Sequence, residues 1–247
     1  MNFTEQTIAI PTPSGGMNTA ILTPKAPGKY PALILYSEIF QLTGPIMRSA
    51  ASMAGHGFIV AVPEVYHEHL AAGTVLGYDD AGKNIGNDLK NKTRIESYDE
   101  GVVAILDYMK TYSACNQRFG AVGFCLGGHL AFRAALHPQI EATACFYATD
   151  IHSGTLGTNQ ACDTFDRIDE IKGEVMMLWG RQDPHIPTAG RQKIYNELCD
   201  KEINFTWHEF NAVHAFMRDE GERYNPSLAR DCYGLVVNML NSTLKNQ

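Results

Sequence analysis

A cysteine with a glycine two residues to either side carries the most chemical content in this chain. Gly123-Phe124-Cys125-Leu126-Gly127-Gly128 follows an apolar run at 119–124 and precedes a helical pattern at 126–136. It matches G-x-S-x-G with sulfur in place of the serine oxygen. A nucleophile raised on a sharp strand-to-helix turn leaves no room for side chains two positions away, and glycine at 123 and 127 removes the clash. At the start of a helix the dipole favours a thiolate, and the N–H of Leu126 can face a developing oxyanion. By itself the pattern also fits a buried cysteine beside a Gly-rich helix start.

Two further residues complete a constellation in the order nucleophile, acid, histidine. Asp183, in Gly180-Arg181-Gln182-Asp183-Pro184-His185, follows the strand pattern 174–179, where open α/β sheets place their sites. Alone it reads as a turn or capping aspartate. His214, in Asn211-Ala212-Val213-His214-Ala215-Phe216, follows the strand pattern 204–210; alone it reads as a solvated loop histidine. Together with Cys125 they make a proton relay: His214 takes the thiol proton or stabilises the thiolate as imidazolium, and Asp183 orients the ring.

Short apolar strands alternating with helical patterns must position these residues, which predicts an α/β fold with a mostly parallel sheet. A hairpin pairs 8–10 with 17–22 through Pro13-Ser14-Gly15-Gly16. Strands follow at 31–36, 58–63, 119–124, 142–147, 174–179 and 204–210. Helices are expected at 45–56, 94–111, 126–136, 189–200 and 226–244. Residues 64–92, with Gly73, Gly77, Gly82 and Gly86 and little apolar period, read as a long loop covering a pocket. No linker or charge shift divides residues 1–247, which predicts one domain.

At these motifs the sequence resembles the dienelactone hydrolase family, also called carboxymethylenebutenolidases, over nearly the whole chain, 8–240. The resemblance rests on 123–128, 180–187, 214–218 and Ser37-Glu38-Ile39-Phe40. It implies an α/β-hydrolase fold, helices on both faces of the sheet, and a triad of Cys125, Asp183 and His214 that opens a lactone or cleaves a small carboxylic ester through a thioacyl intermediate. It also implies that Glu38 gates the nucleophile: the resting thiol stays protonated beside Glu38, and an arriving anionic substrate displaces the carboxylate, which takes the proton. Ile39 then supplies the second oxyanion N–H beside Leu126. Arg218 falls on an arginine that binds the substrate carboxylate through a two-point fork. For a second such arginine Arg94 is nearest, with Lys92 close by; Tyr147 matches a pocket aromatic. Residues 64–92 and 149–169 depart from the bacterial lactone-degrading members, so dienelactone itself does not follow as substrate.

Other readings compete with this one. His67-Glu68-His69 with Glu64 offers metal-ligand types, but the spacing is not H-E-x-x-H, so neither metal nor cofactor is expected. A non-catalytic binder of a small carboxylate could keep the same pocket, and a broad esterase or thioesterase could keep the same triad. The charge of −7, with only 20 Lys and Arg, excludes a nucleic-acid footprint. Met1-Asn2-Phe3-Thr4-Glu5-Gln6 carries no signal-peptide pattern, and no apolar run is long enough for a membrane span. The six scattered cysteines fit a reduced compartment. The expectation is therefore a cytoplasmic enzyme, monomer or small homo-oligomer, acting on a small molecule with a carboxylate.

Overall fold

In a computed structural model, described for residues 2–160 and 162–245, the chain forms one eight-stranded sheet flanked by helices. Of the opening segment read above, Met1 lies outside the described residues, as does Ala161 of 149–169. The strands are β1 (Phe3–Thr12), β2 (Gly15–Pro24), β3 (Tyr30–Tyr36), β4 (Ile59–Pro63), β5 (Cys115–Phe124), β6 (Ile140–Phe146), β7 (Glu174–Gly180) and β8 (Phe205–Phe210). Their order across the sheet is β1-β2-β4-β3-β5-β6-β7-β8. The β1–β2 and β2–β4 pairs are antiparallel; every later pair is parallel.

Burial explains which strand lies where. β4 is buried at every position and β3 at all but its first, as strands covered on both faces must be. β1 at the edge is mostly exposed. Between β3 and β5 the order reverses, because the chain goes outward from β3 to β4 and returns on the other side. Loops leaving the carboxyl ends of β3 and β5 therefore diverge there and open a crevice. Glu38 and Cys125 are on those two loops.

The helices are α1 (Gly44–Gly55), α2 (Asp80–Lys92), α3 (Ile95–Thr111), α4 (Leu126–Ala134), α5 (Thr188–Asp200) and α6 (Pro226–Leu244). All nine residues of α4 are buried, so the helix behind Cys125 is locked in the core. α6 starts where Asn225 caps the N–H of Leu228 at 3.2 Å.

The segment 64–92, read above as a loop, contains a full helix. Asp79 caps α2 by accepting from the N–H of Gly82 at 2.7 Å. The buried stripe of α2 consists of Gly82, Gly86 and Leu89, and two glycines give no hydrophobic signal. They are there for close approach. A Cβ at Gly82 would lie 2.1 Å from the carbonyl of Gly77, and one at Gly86 would lie 2.5 Å from that of Ile39. The helix thus rests directly on the loop after β3.

Candidate active site

The turn at Cys125 is strained in the way its sequence implies. Cys125 has φ 59° and ψ −119°, a conformation L residues rarely adopt. A Cβ on Gly123 would lie 1.8 Å from the carbonyl oxygen of Gly127, and one on Gly127 would lie 2.3 Å from that of Tyr36. Backbone hydrogen bonds from both sides hold the strain in place. The Cys125 N–H donates to Phe146 at 3.0 Å, and the Cys125 carbonyl accepts from Gly128 at 3.0 Å and from His129 and Thr149 at 3.3 Å each. Leu126 is the first residue of α4, and Ile39 follows β3 and shares a cavity wall with Cys125.

Asp183 and His214 come together from the loops after β7 and β8. Nδ1 of His214 lies 2.6 Å from Oδ2 of Asp183, and the backbone N–H of His185 donates to Oδ1 at 2.8 Å. Both side chains are buried. Burial pulls the proton affinity of His214 down, but the charge of Cys125 and hydrogen bonds to Asp183 and Cys125 outweigh it and raise its pKa to about 10. An imidazolium is favoured there whenever a thiolate stands beside it. The ring is braced edge-on by Tyr147, with centroids 5.0 Å apart, and by His185 at 4.7 Å.

Cys125, His214, Glu38, Ile39 and Arg218 line one cavity of about 710 Å³. Burial raises the proton affinity of Glu38, while Arg218, His214 and Tyr78 draw it back. The Arg218 Nη1 lies 3.6 Å from Glu38 Oε2, and its guanidinium lies 4.2 Å over the Tyr78 ring. Tyr78 is itself fixed, its hydroxyl 2.7 Å from Thr43 Oγ1 and its ring edge-on to Phe40. Tyr147, fully buried with φ 38°, backs His214 rather than facing the large cavity.

Arg94 is not brought to this site. It precedes α3, half exposed, with Nη2 3.9 Å from Glu68 and 4.0 Å from Glu100. Lys92 is also turned away and pairs with Asp88 at 2.6 Å. The cations that reach the cavity from this region are Lys83 and Lys90, the second held by Asp150 at 2.6 Å. Lys83, Asn87 and Lys90 line the cavity together because their spacing puts them on one face of α2; without that helix their spacing carried no message. Tyr78, Lys90, Asp150 and His185 are cavity residues that sequence reasoning passed over. The signal for α2 was its capping aspartate at 79, three residues before Gly82.

The acidic and histidine residues at 64–69 are engaged elsewhere. Glu64 accepts from the N–H of Gly73 at 3.0 Å and 3.1 Å. His67 lies 3.1 Å from Ser14 Oγ, and Glu68 accepts from Ser97. This polar set ties the loop after β4 to the β1–β2 turn and α3. Among the described residues, no group of three His, Cys, Asp or Glu is placed to hold a metal ion.

A parallel-sheet core, a strained turn after β5, and an acid and a histidine after the last two strands define an α/β-hydrolase. Comparison with known proteins narrows the class. Residues 17–244 match the model of the dienelactone hydrolase family. A Saccharomyces cerevisiae protein, provisionally named a carboxymethylenebutenolidase, is 37% identical over 236 residues, 91% of this chain and 86% of its own. A carboxymethylenebutenolidase of Rhodococcus opacus is 30% identical over 206 residues, 82% of this chain and 76% of its own. A crystal structure from Klebsiella pneumoniae, provisionally named a dienelactone hydrolase, shares the fold at a TM-score of 0.83 and 20% identity, covering 97% of this chain and 98% of that one. This chain belongs to the dienelactone hydrolase family and is a hydrolase. No helix among the described residues is long and apolar enough to cross a membrane.

Proposed function

We propose that the chain opens a lactone, or cleaves a small carboxylic ester, through a thioacyl intermediate on Cys125. The observation that carries this reading is the strained Cys125 in a cavity with a histidine whose proton affinity the cysteine and Asp183 both raise. The Cys125 thiolate adds to the carbonyl carbon, and the oxyanion faces the N–H groups of Leu126 and Ile39. Collapse breaks the carbon–oxygen bond, and the imidazolium of His214 gives its proton to the leaving oxygen. Water then adds to the thioester as His214 takes a proton from it, and the acid leaves with the thiolate restored. Asp183 holds the ring throughout.

Glu38 acts as the gate in this reading. Its burial raises its proton affinity and Arg218 restrains it, so a substrate carboxylate that engages Arg218 releases Glu38 to take the thiol proton. Tyr147 braces His214 from behind. On the α2 side Lys83 and Lys90 take the place expected of Arg94 as cations on the cavity wall. The six free thiols suit a reducing, cytoplasmic setting.

Burst release of chromophore from a p-nitrophenyl ester, with mass detection of an acyl group on the Cys125 peptide, tests the mechanism. Tight anion binding with neither burst nor adduct would instead mark a non-catalytic binder. Equal turnover of carboxylate-bearing and neutral esters or thioesters would mark a broad esterase.

A further inference from the structure

Glu38 and Arg218 face two ways. Both line the large cavity, and both also line a small one behind it, with Pro45, Ser49, Tyr147 and Met217. About 10 Å³ of that space is open to the centre of a water molecule, which is room for one. Glu38 Oε2 and Arg218 Nε are both buried atoms, yet neither has a hydrogen-bond partner within the protein. Arg218 approaches Oε2 only through Nη1 at 3.6 Å, beyond hydrogen-bond length. A buried acceptor and a buried donor thus stand unpaired around a space of the right size, and charged groups in that state carry a large desolvation cost.

The third wall supplies the remaining hydrogen-bond site. Ser49 Oγ donates to the Pro45 carbonyl at 2.9 Å. With its one proton so used, it accepts from the Tyr233 hydroxyl at 2.6 Å. Tyr233 retains that proton, since burial pushes its pKa up to about 12. A serine oxygen accepts twice, so one lone pair of Ser49 remains. A water here would accept from Arg218 Nε–H and donate to Glu38 Oε2 and Ser49 Oγ, and every group would then be satisfied.

We propose that this cavity is a binding site for one water, and that Ser49 is the positioning residue that aims the water's proton at Glu38. The second part rests on the gating role proposed above. Glu38 is faced by Arg218, His214 and Tyr78 and stands near Tyr147. The water adds a donor to the carboxylate form from behind. It thereby holds Glu38 ionised beside Arg218 in the resting enzyme and leaves the proton on Cys125.

Crystals of the unliganded wild type, diffracting well enough to show ordered water, should contain a density peak within hydrogen-bond distance of both Glu38 Oε2 and Arg218 Nε. Ser49→Val removes the acceptor and fills the space, so the peak should vanish. Glu38 then gains proton affinity and the resting thiol loses its proton more often. Iodoacetamide should alkylate Cys125 roughly three- to tenfold faster at pH 7, while Ser49→Thr should keep the wild-type rate. If the valine variant does not fold, Ser49→Ala takes its place in the alkylation assay and the wild-type density still decides the site. A wild-type map without the peak overturns the site. A peak in the wild type accompanied by unchanged alkylation in Ser49→Val, or in Ser49→Ala where that takes its place, overturns the positioning role. Water density in an enzyme that forms no thioacyl adduct supports the site and sinks the mechanism above, so the two failures are distinguishable.

Discussion

The two oxygens of Asp183 are divided between partners: Oδ2 meets His214 Nδ1 at 2.6 Å, and Oδ1 accepts the N–H of His185 at 2.8 Å. The carboxylate cannot rotate without losing one of them, so the imidazole it orients is fixed to the loop after β7. Asp183→Asn preserves the shape but can present an amide N–H to His214 and favour the wrong tautomer. The expected loss in kcat is roughly 10²- to 10⁴-fold with little change in melting temperature. Steady-state kinetics with thermal melts would show this, and a loss explained by unfolding would refute it.

Removal of the sulfur should be more damaging than removal of the orienting acid. Cys125→Ala is expected to lower kcat by roughly 10⁴-fold or more. The pKa of His214 should also fall from about 10, because Cys125 contributes to its elevation by charge and hydrogen bond. NMR titration of the imidazole in the two proteins gives the check, and an unmoved pKa would mean that the two groups do not interact.

The same elevation makes stability depend on pH. The folded value of about 10 lies above the ordinary 6.5, so the proton on His214 is held more tightly in the folded chain. That stabilisation is complete below about pH 6.5 and is lost as pH rises through about 10. The gap in melting temperature between wild type and His214→Gln should therefore narrow across that window. A gap that widens would reverse the sign of the coupling.

Arg218→Ala should discriminate among substrates. A guanidinium–carboxylate contact contributes about 1.5–3 kcal/mol, so kcat/KM for carboxylate-bearing esters should fall roughly ten- to a hundredfold. Neutral esters, which have no carboxylate to engage the guanidinium, should show no such fall, and loss of the restraint on Glu38 should if anything speed them. Equal losses on both would show that Arg218 acts on the enzyme rather than on the ligand.

The elbow glycines should be intolerant for a reason unrelated to chemistry. The Cβ of Gly127→Ala would sit 2.3 Å from a backbone oxygen that no rotamer can move. Overpacking of this kind costs about 3 kcal/mol, a fall of roughly 6–12 °C in melting temperature for a chain of this size. Differential scanning calorimetry would detect it, and a variant melting as wild type would mean that the turn opens freely.

Much of this architecture could be read from residue order, because its signals are local. Apolar runs such as 31–36 and 174–179 announce buried strands, glycines at 123 and 127 announce a tight turn, and residues after strand ends announce a shared rim. The hairpin, the parallel core and the positions of Cys125, Asp183 and His214 on loops after strands follow from such patterns. α2 escaped detection because its buried stripe is mostly glycine, which packs by having no side chain and adds nothing to a hydrophobic period. With the helix missed, the cavity face of Lys83, Asn87 and Lys90 was missed too, and Arg94 stood in for the two lysines. Which cation reaches the cavity depends on which side of a helix turns inward.

What the sequence by itself determined is thus the type of sheet, the turn that strains Cys125, and the chain order of three reactive groups. Only the tertiary structure decided that Asp183 and His214 meet at 2.6 Å, that Glu38 is buried against Arg218, and that Tyr78 stacks on the same guanidinium. Strand and turn preferences act over a few residues and leave their mark in any short window. Proton affinities and ion pairs depend on burial and on neighbours from distant segments, and those exist only once the chain has folded.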